Sequence, residues 1–225
     1  MEQKDIQEAI KLVRKGSKER KFKQTLDIVV NFKDLDLKNP AHKFKAEVVL
    51  PHGRGKPIKI AAFADGATAE NAKKAGIEKI LDKTELSKLA TNKKETRTIA
   101  NGYDFFVAQT DFMVDIGKIL GAVLGPRNKM PQPVPPNVPL DAIVKRLEKL
   151  VRIRIVNQPL IHCRVGTEEM SDEQLVANID AILSMIYSKT PKHEENIRSV
   201  CVKTTMGKSI KIGAPVKADD GGEEQ

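Results

Sequence analysis

Residues 48–63, VVLPHGRGKPIKIAAF, join two sequence rhythms that do not belong to one sheet. Up to Leu50 the chain alternates: Ala46, Val48 and Leu50 fall on one side of a strand at 44–50, as Leu26, Ile28, Val30 and Phe32 do at 24–33. Period-two alternation marks a strand with one apolar and one polar face. After Pro57 the strands become short and nearly continuously apolar, at 58–63, 76–81 and 105–109, and helical stretches at 68–75, 84–93 and 111–124 stand between them. Such alternation predicts a parallel sheet with helices on both faces, a small Rossmann-like domain. The glycine- and proline-rich turn at 51–57 is therefore read as the end of the first segment.

Working outward, Ile6, Ala9, Ile10 and Val13 recur at helical spacing before Gly16, which predicts an amphipathic helix ahead of the first strands. Beyond the middle segment, Gly125 and Pro126 stop a helix, a proline-rich loop covers 130–139, and a helix is predicted at 141–150. Strand character then resumes at 151–156 and 160–165. A strong helix follows at 171–187, opened by the capping box Ser171 and Gln174, with Leu175, Ile179, Ile182, Leu183 and Ile186 on its core face. The last feature is a hairpin at 199–212, SVCVKTTMGKSIKI, in which Val200, Val202, Ile210 and Ile212 alternate with hydroxyl and cationic residues. One face of it suits a core and the other a polyanion, although an ordinary surface hairpin reads the same way. The acidic stretch at 218–225 is expected to be disordered.

The balance of charge favours the polyanion: 225 residues carry 39 Lys and Arg against 30 Asp and Glu, for a net charge of +9. An excess of this size is the electrostatic footprint of nucleic-acid binding, because each bound phosphate releases counterions. Cys163 and Cys201 have no CxxC partner and no histidine at metal-ligand spacing, so both read as reduced apolar residues. No run of 18 apolar residues occurs and the first 22 residues are charged throughout, so a soluble, non-secreted protein is expected, with no membrane partner.

Catalytic and cofactor motifs fail. The GRGKP turn at 53–57 has Pro57 where a P-loop needs Ser or Thr, and it is not followed by a helix as a dinucleotide fingerprint would be. His42, His52, His162 and His193 stand apart from any nucleophile motif, so no enzyme and no cofactor is expected. His162, in an apolar strand, reads as a structural residue. Aromatic residues make up 4% of the chain and there is no Trp, too few for the stacking platforms that read single strands. A reader of structured RNA, using phosphate, shape and 2'-hydroxyl contacts, fits better. The competing readings are a nonspecific basic nucleic-acid binder and a nucleotide-dependent enzyme built on the middle segment.

Four separated motifs point to one family: KFKQT at 21–25, VVLPHGRGK at 48–56, LGPRNKMPQP at 124–133 and SVCVKTTMG at 199–207. In these the chain resembles large-subunit ribosomal protein one, the lateral-stalk protein of the large subunit. Asn128-Lys129 after the Gly-Pro-Arg step, and the PVPP run at 133–136, are similar to the archaeal type. The resemblance implies a two-domain α/β fold. A composite, split β-α-β sandwich-like RNA-binding domain is built from residues 1–53 and 154–225, and a Rossmann-like three-layer α/β domain is inserted at 54–153, with hinges near 53–55 and 151–154.

It also implies partners: the stalk region of large-subunit rRNA, exit-site tRNA, and the protein's own mRNA, whose translation it would repress. The protein is expected on the cytoplasmic ribosome, and as a monomer when free. Carried over by motif, Lys21, Phe22 and Thr25 start the first strand and face RNA, with Ser199, Thr205, Met206 and Gly207 beside them across the sheet. Lys21 would meet phosphate, Phe22 and Met206 sugar or base, the three hydroxyls 2'-hydroxyls or backbone, and Gly207 would permit close approach. Two alternatives stay open, Phe22 as a plug of the small core and Met206 as a gap-filler. Lys203 and Lys208 would add weaker attraction. Arg127 and Lys129, in the 124–133 loop, would touch ribosomal or transfer RNA unless that loop is only a stiff connector.

Overall fold

The computed structural model describes residues 3–18, 20–39, 42–135, 139–155 and 157–213. The acidic stretch at 218–225 lies outside the described residues. Along the chain come α1 (Gln3–Lys15), β1 (Thr25–Phe32) and β2 (Lys45–Val49). There follow β3 (Ile60–Phe63), α2 (Gly66–Lys74), β4 (Lys79–Leu81), α3 (Lys83–Thr91), α4 (Lys93–Gly102), β5 (Phe105–Gln109), α5 (Met113–Leu124), β6 (Gln132–Val134) and α6 (Asp141–Glu148). The chain then forms β7 (Leu150–Arg154), β8 (Leu160–Thr167), α7 (Asp172–Lys189), β9 (Ile197–Thr204) and β10 (Ile210–Lys211).

Two compact units result, one from Met1–Lys56 with Lys149–Gln225 and one from Pro57–Glu148. The second crossing lies before Lys149, not after Ile153, because β7 pairs antiparallel with β2 from Lys45 opposite Arg154 to Val49 opposite Leu150. Residues 151–154 are thus inside a strand of the first unit. Residues 53–55 are also held there. The Asn178 amide donates to the Gly53 and Val165 carbonyls at 2.9 Å each and its Oδ1 accepts from the His52 amide at 3.2 Å. At Gly55, with φ +68°, a Cβ would stand 2.5 Å from Thr167 Oγ1, so only glycine fits that approach.

In the first unit the main sheet is antiparallel, in the order β10-β9-β1-β8. The alternation of β1 is realised in full: Leu26, Ile28, Val30 and Phe32 are buried, and the residues between them are half-exposed. Ile6, Ala9, Ile10 and Val13 of α1 and Leu175, Ile179, Ile182 and Ile186 of α7 complete the same core. Both helices therefore cover one face of the sheet. Ser171 opens α7 with the expected reciprocal cap to Gln174. Ile10 is fully buried, so Ile10→Ala should lower the stability of this unit by about 2–5 kcal/mol, through lost transfer energy and the cavity left behind. Chemical denaturation measures it; an unchanged midpoint would mean that α1 does not dock there.

The second unit is a parallel sheet in the order β4-β3-β5-β6. Every residue of β3 is buried, as in a strand covered on both faces. Two features depart from the sequence reading. The helix expected at 84–93 is α3, but a further helix, α4, follows it unexpectedly, started by Asn92, whose Oδ1 accepts from the Lys94 and Glu95 amides. The proline-rich loop is more than a connector, since Gln132–Val134 pairs parallel to β5. It is the edge strand of the sheet, where Pro133 is tolerated.

Candidate nucleic-acid interface

Because α1 and α7 take the apolar face of the main sheet, its other face is left to Thr25, Asp27, Val29 and Asn31 of β1 and to Ser199, Cys201 and Lys203 of β9. Pairing sets them in rows: Asp27 stands opposite Arg164 and Lys203, Val29 opposite His162 and Cys201, and Asn31 opposite Leu160 and Ser199. His162, read from the sequence as a structural residue, is exposed on this face with Nε2 3.6 Å from Asp27 Oδ2.

At the start of β1 the sheet builds a compact polar cluster. Thr205 Oγ1 accepts from the Thr25 amide at 3.1 Å and lies 2.9 Å from Thr25 Oγ1. Gln24 braces the cluster: its Oε1 accepts from the Met206 amide at 3.2 Å, and its Nε2 donates to Ser17 Oγ at 2.9 Å and to the Lys18 carbonyl at 3.2 Å. The Gln24 amide in turn donates to Glu168 Oε1 at 2.9 Å. Gln24 is 2% exposed, so its amide group is committed to fixing the turn rather than to a ligand.

Thr25, Thr205, Met206 and Gly207 are brought together as expected, and the placement of Lys21, Phe22 and Ser199 is corrected. Lys21 and Phe22 lie in a bend before β1, which starts only at Thr25. Phe22 is 50% exposed and Met206 61% exposed, so neither fills the core. Gly207 has a second reason to be glycine: a Cβ there would meet Thr204 Oγ1 at 2.2 Å. Its missing side chain makes room for Thr204, which reaches Ser17 Oγ at 3.4 Å. Ser199 is not part of the cluster. It precedes Thr204 by five residues on β9, roughly 17 Å along a strand, and its Oγ accepts from Asn31 Nδ2 at 3.0 Å.

Of the lysines, Lys203 faces Asp27 across the strands and Lys208 is exposed just past the turn. Arg127 is exposed and donates to the Val123 carbonyl at 3.0 Å. Lys129 turns inward: its ammonium donates to the Ala100 and Tyr103 carbonyls at 2.9 and 2.7 Å, closing the end of α4. Two of its three donors are thus taken up by carbonyls of its own unit, which weighs against the expected RNA contact.

The half-buried Asp27 is the acidic element of the open face. Burial pushes its carboxyl above the ordinary value, while His162, Arg164 and Lys203 pull it the other way. A carboxyl whose folded pKa is raised binds more protons folded than unfolded, so it costs stability once pH exceeds the carboxylate range. Asp27→Asn should therefore stabilise the protein at pH 7, with the gain vanishing as pH falls through that range. Thermal melts at both pH values check this, and destabilisation at pH 7 would contradict it. Cys163 is buried, and burial followed by the charge of Asp27 pushes its thiol up to about 12, so it is inert.

The sequence reading missed Gln24, Ser17 and Glu168. One signal was available, since Gln24 shares the parity of Leu26, Ile28 and Val30 and so had to be a buried polar residue with partners.

Residues 13–208 match the profile of the Ribosomal protein L1p/L10e family. The Large ribosomal subunit protein uL1 of Pyrococcus horikoshii is 49% identical over 208 residues, covering 92% of this chain and 94% of that protein. That of Methanothermobacter thermautotrophicus is 46% identical over 210 residues, covering 93% and 99%. That of Thermococcus kodakarensis is 48% identical over 206 residues, covering 91% and 95%.

Proposed function

Since the chain belongs to the Ribosomal protein L1p/L10e family, we propose that it holds the stalk region of large-subunit rRNA through the end of its first-unit sheet. It is a structural protein of the large ribosomal subunit and not an enzyme, and its place is the cytoplasmic ribosome. The observation that carries the RNA reading is the exposure of two large apolar side chains, Phe22 three residues before Thr25 and Met206 next to Thr205, beside a preorganised hydroxyl pair in a basic chain. Such side chains pack on ribose or on a base face, while Thr25 and Thr205 exchange hydrogen bonds with 2'-hydroxyls and Lys21 neutralises phosphate. Fixing the turn through Gln24 before binding lowers the ordering cost that a loose loop would meet.

Lys208 and Lys203 add charge around this centre, and Ser199 touches RNA only where the RNA extends along β9. The second unit offers Arg127, and not Lys129, to exit-site tRNA, whose release the protein supports. The same first-unit face binds a similar structure in the protein's own mRNA and so represses its translation. Hydrogen exchange with and without a stalk-region fragment tests the placement. Amides of residues 204–207 and of the start of β1 should slow on binding; protection elsewhere, with these unchanged, would refute it. Competition between the mRNA leader and the rRNA fragment should be complete, and simultaneous binding would remove the repressor role from this face.

A further inference from the structure

Beside the Thr204 turn the first unit has a cavity of about 380 Å³, lined by Arg14, Ser17, Lys18, Arg20, Glu168 and Thr204. Its size falls among ligand clefts, roughly 300–1,000 Å³, and among the described residues no apolar side chain lines it. The walls are braced. Ser17 Oγ accepts from both Gln24 Nε2 and Thr204 Oγ1, and Glu168 Oε1 accepts from the Gln24 amide. Arg14 is held in place by donating to the Met170 carbonyl and by pairing with Asp172 at 3.0 Å. Lys18 and Arg20 are the exposed cations of the lining.

This chemistry selects its occupant. A bare phosphate is disfavoured by the fixed Glu168 carboxylate, and an apolar side chain would strand the polar walls without partners. A nucleotide satisfies both halves, with its phosphate on Lys18 and Arg20 and the N–H or O–H donors of its base or ribose turned to Glu168 and Ser17. Thr204 lines the cavity and the next residue, Thr205, belongs to the hydroxyl pair. The cavity therefore lies beside the turn that carries the pair, joined to it through Ser17, Gln24 and the Met206 amide.

We propose that this cavity takes one unstacked nucleotide of the bound RNA, turned out of its strand and read by Glu168, which rests on the RNA reading given above. The experiment places 2-aminopurine at each unpaired position of a stalk-region fragment in turn and follows its fluorescence as wild-type protein is added. One position should brighten as it leaves the stack. With Lys18→Ala/Arg20→Ala, or with Glu168→Gln, which keeps an oxygen for the Gln24 amide, the brightening should disappear. The fragment should still bind, about tenfold more weakly for the double variant.

A bound fragment in which no position brightens, or one in which the brightening survives both variants, would overturn the inference. A thermal shift with free nucleoside monophosphates that Glu168→Gln leaves unchanged would also overturn it, since Glu168 would then not read the base. If the fragment does not bind wild-type protein at all, the RNA reading fails and the nucleotide site with it.

Discussion

Met206→Asp weakens binding to a stalk-region rRNA fragment by about 1–3 kcal/mol, roughly five- to 150-fold, while leaving the thermal transition where it was. The side chain is 61% exposed, so the folded protein loses little packing when it is replaced. The bound state loses an apolar contact and gains a negative charge among phosphates. The backbone amide of residue 206 still donates to Gln24 Oε1, so the turn keeps its brace. A gel-shift titration beside a melt measures both quantities. Unchanged affinity would take the turn out of the interface, and a large drop in melting temperature would mean that Met206 serves the fold.

The second large effect is on stability. Asn178→Leu leaves the His52 amide and the Gly53 and Val165 carbonyls without their side-chain partner, inside a site where Asn178 itself is fully buried. Unpaired buried groups cost about 1–3 kcal/mol each, so a loss of roughly 3–5 kcal/mol is expected, at the upper end for single substitutions. Urea denaturation followed by far-UV circular dichroism should show the midpoint moving down. A midpoint within error of wild type would mean that the 51–55 turn finds other partners and is not anchored through α7.

Both predictions bear on how far the sequence could be read. The alternation of Leu26, Ile28, Val30 and Phe32 and the helical spacing of Ile6, Ala9, Ile10 and Val13 are read directly, because burial of one face is a local periodic property. The motif residues Thr25, Thr205, Met206 and Gly207 were legible as a set, and the sheet register puts them together. What was not legible depends on contacts distant in sequence. Gln24 meets Met206 across 182 positions and Asn178 meets Gly53 across 125, and no local rhythm reports such pairs.

The inward turn of Lys129 belongs to the same class. Its partners, Ala100 and Tyr103, lie at the end of α4, a helix that the sequence reading did not include. Once that helix end is unseen, a lysine in a Gly-Pro-Arg loop looks like a phosphate contact. Asn92 followed by Glu95 was the available sign, since this spacing is that of a helix start.

The most direct measurement is a titration of the protein against a stalk-region fragment of large-subunit rRNA, with an unrelated hairpin of equal length as competitor, at low and at near-physiological salt. A specific face predicts that the stalk fragment is preferred by several hundredfold and that the preference survives the higher salt, because hydrogen bonds and packing are less screened than charge. Equal binding to both RNAs, lost together as salt rises, would contradict it and leave only the net charge of +9 to explain the binding.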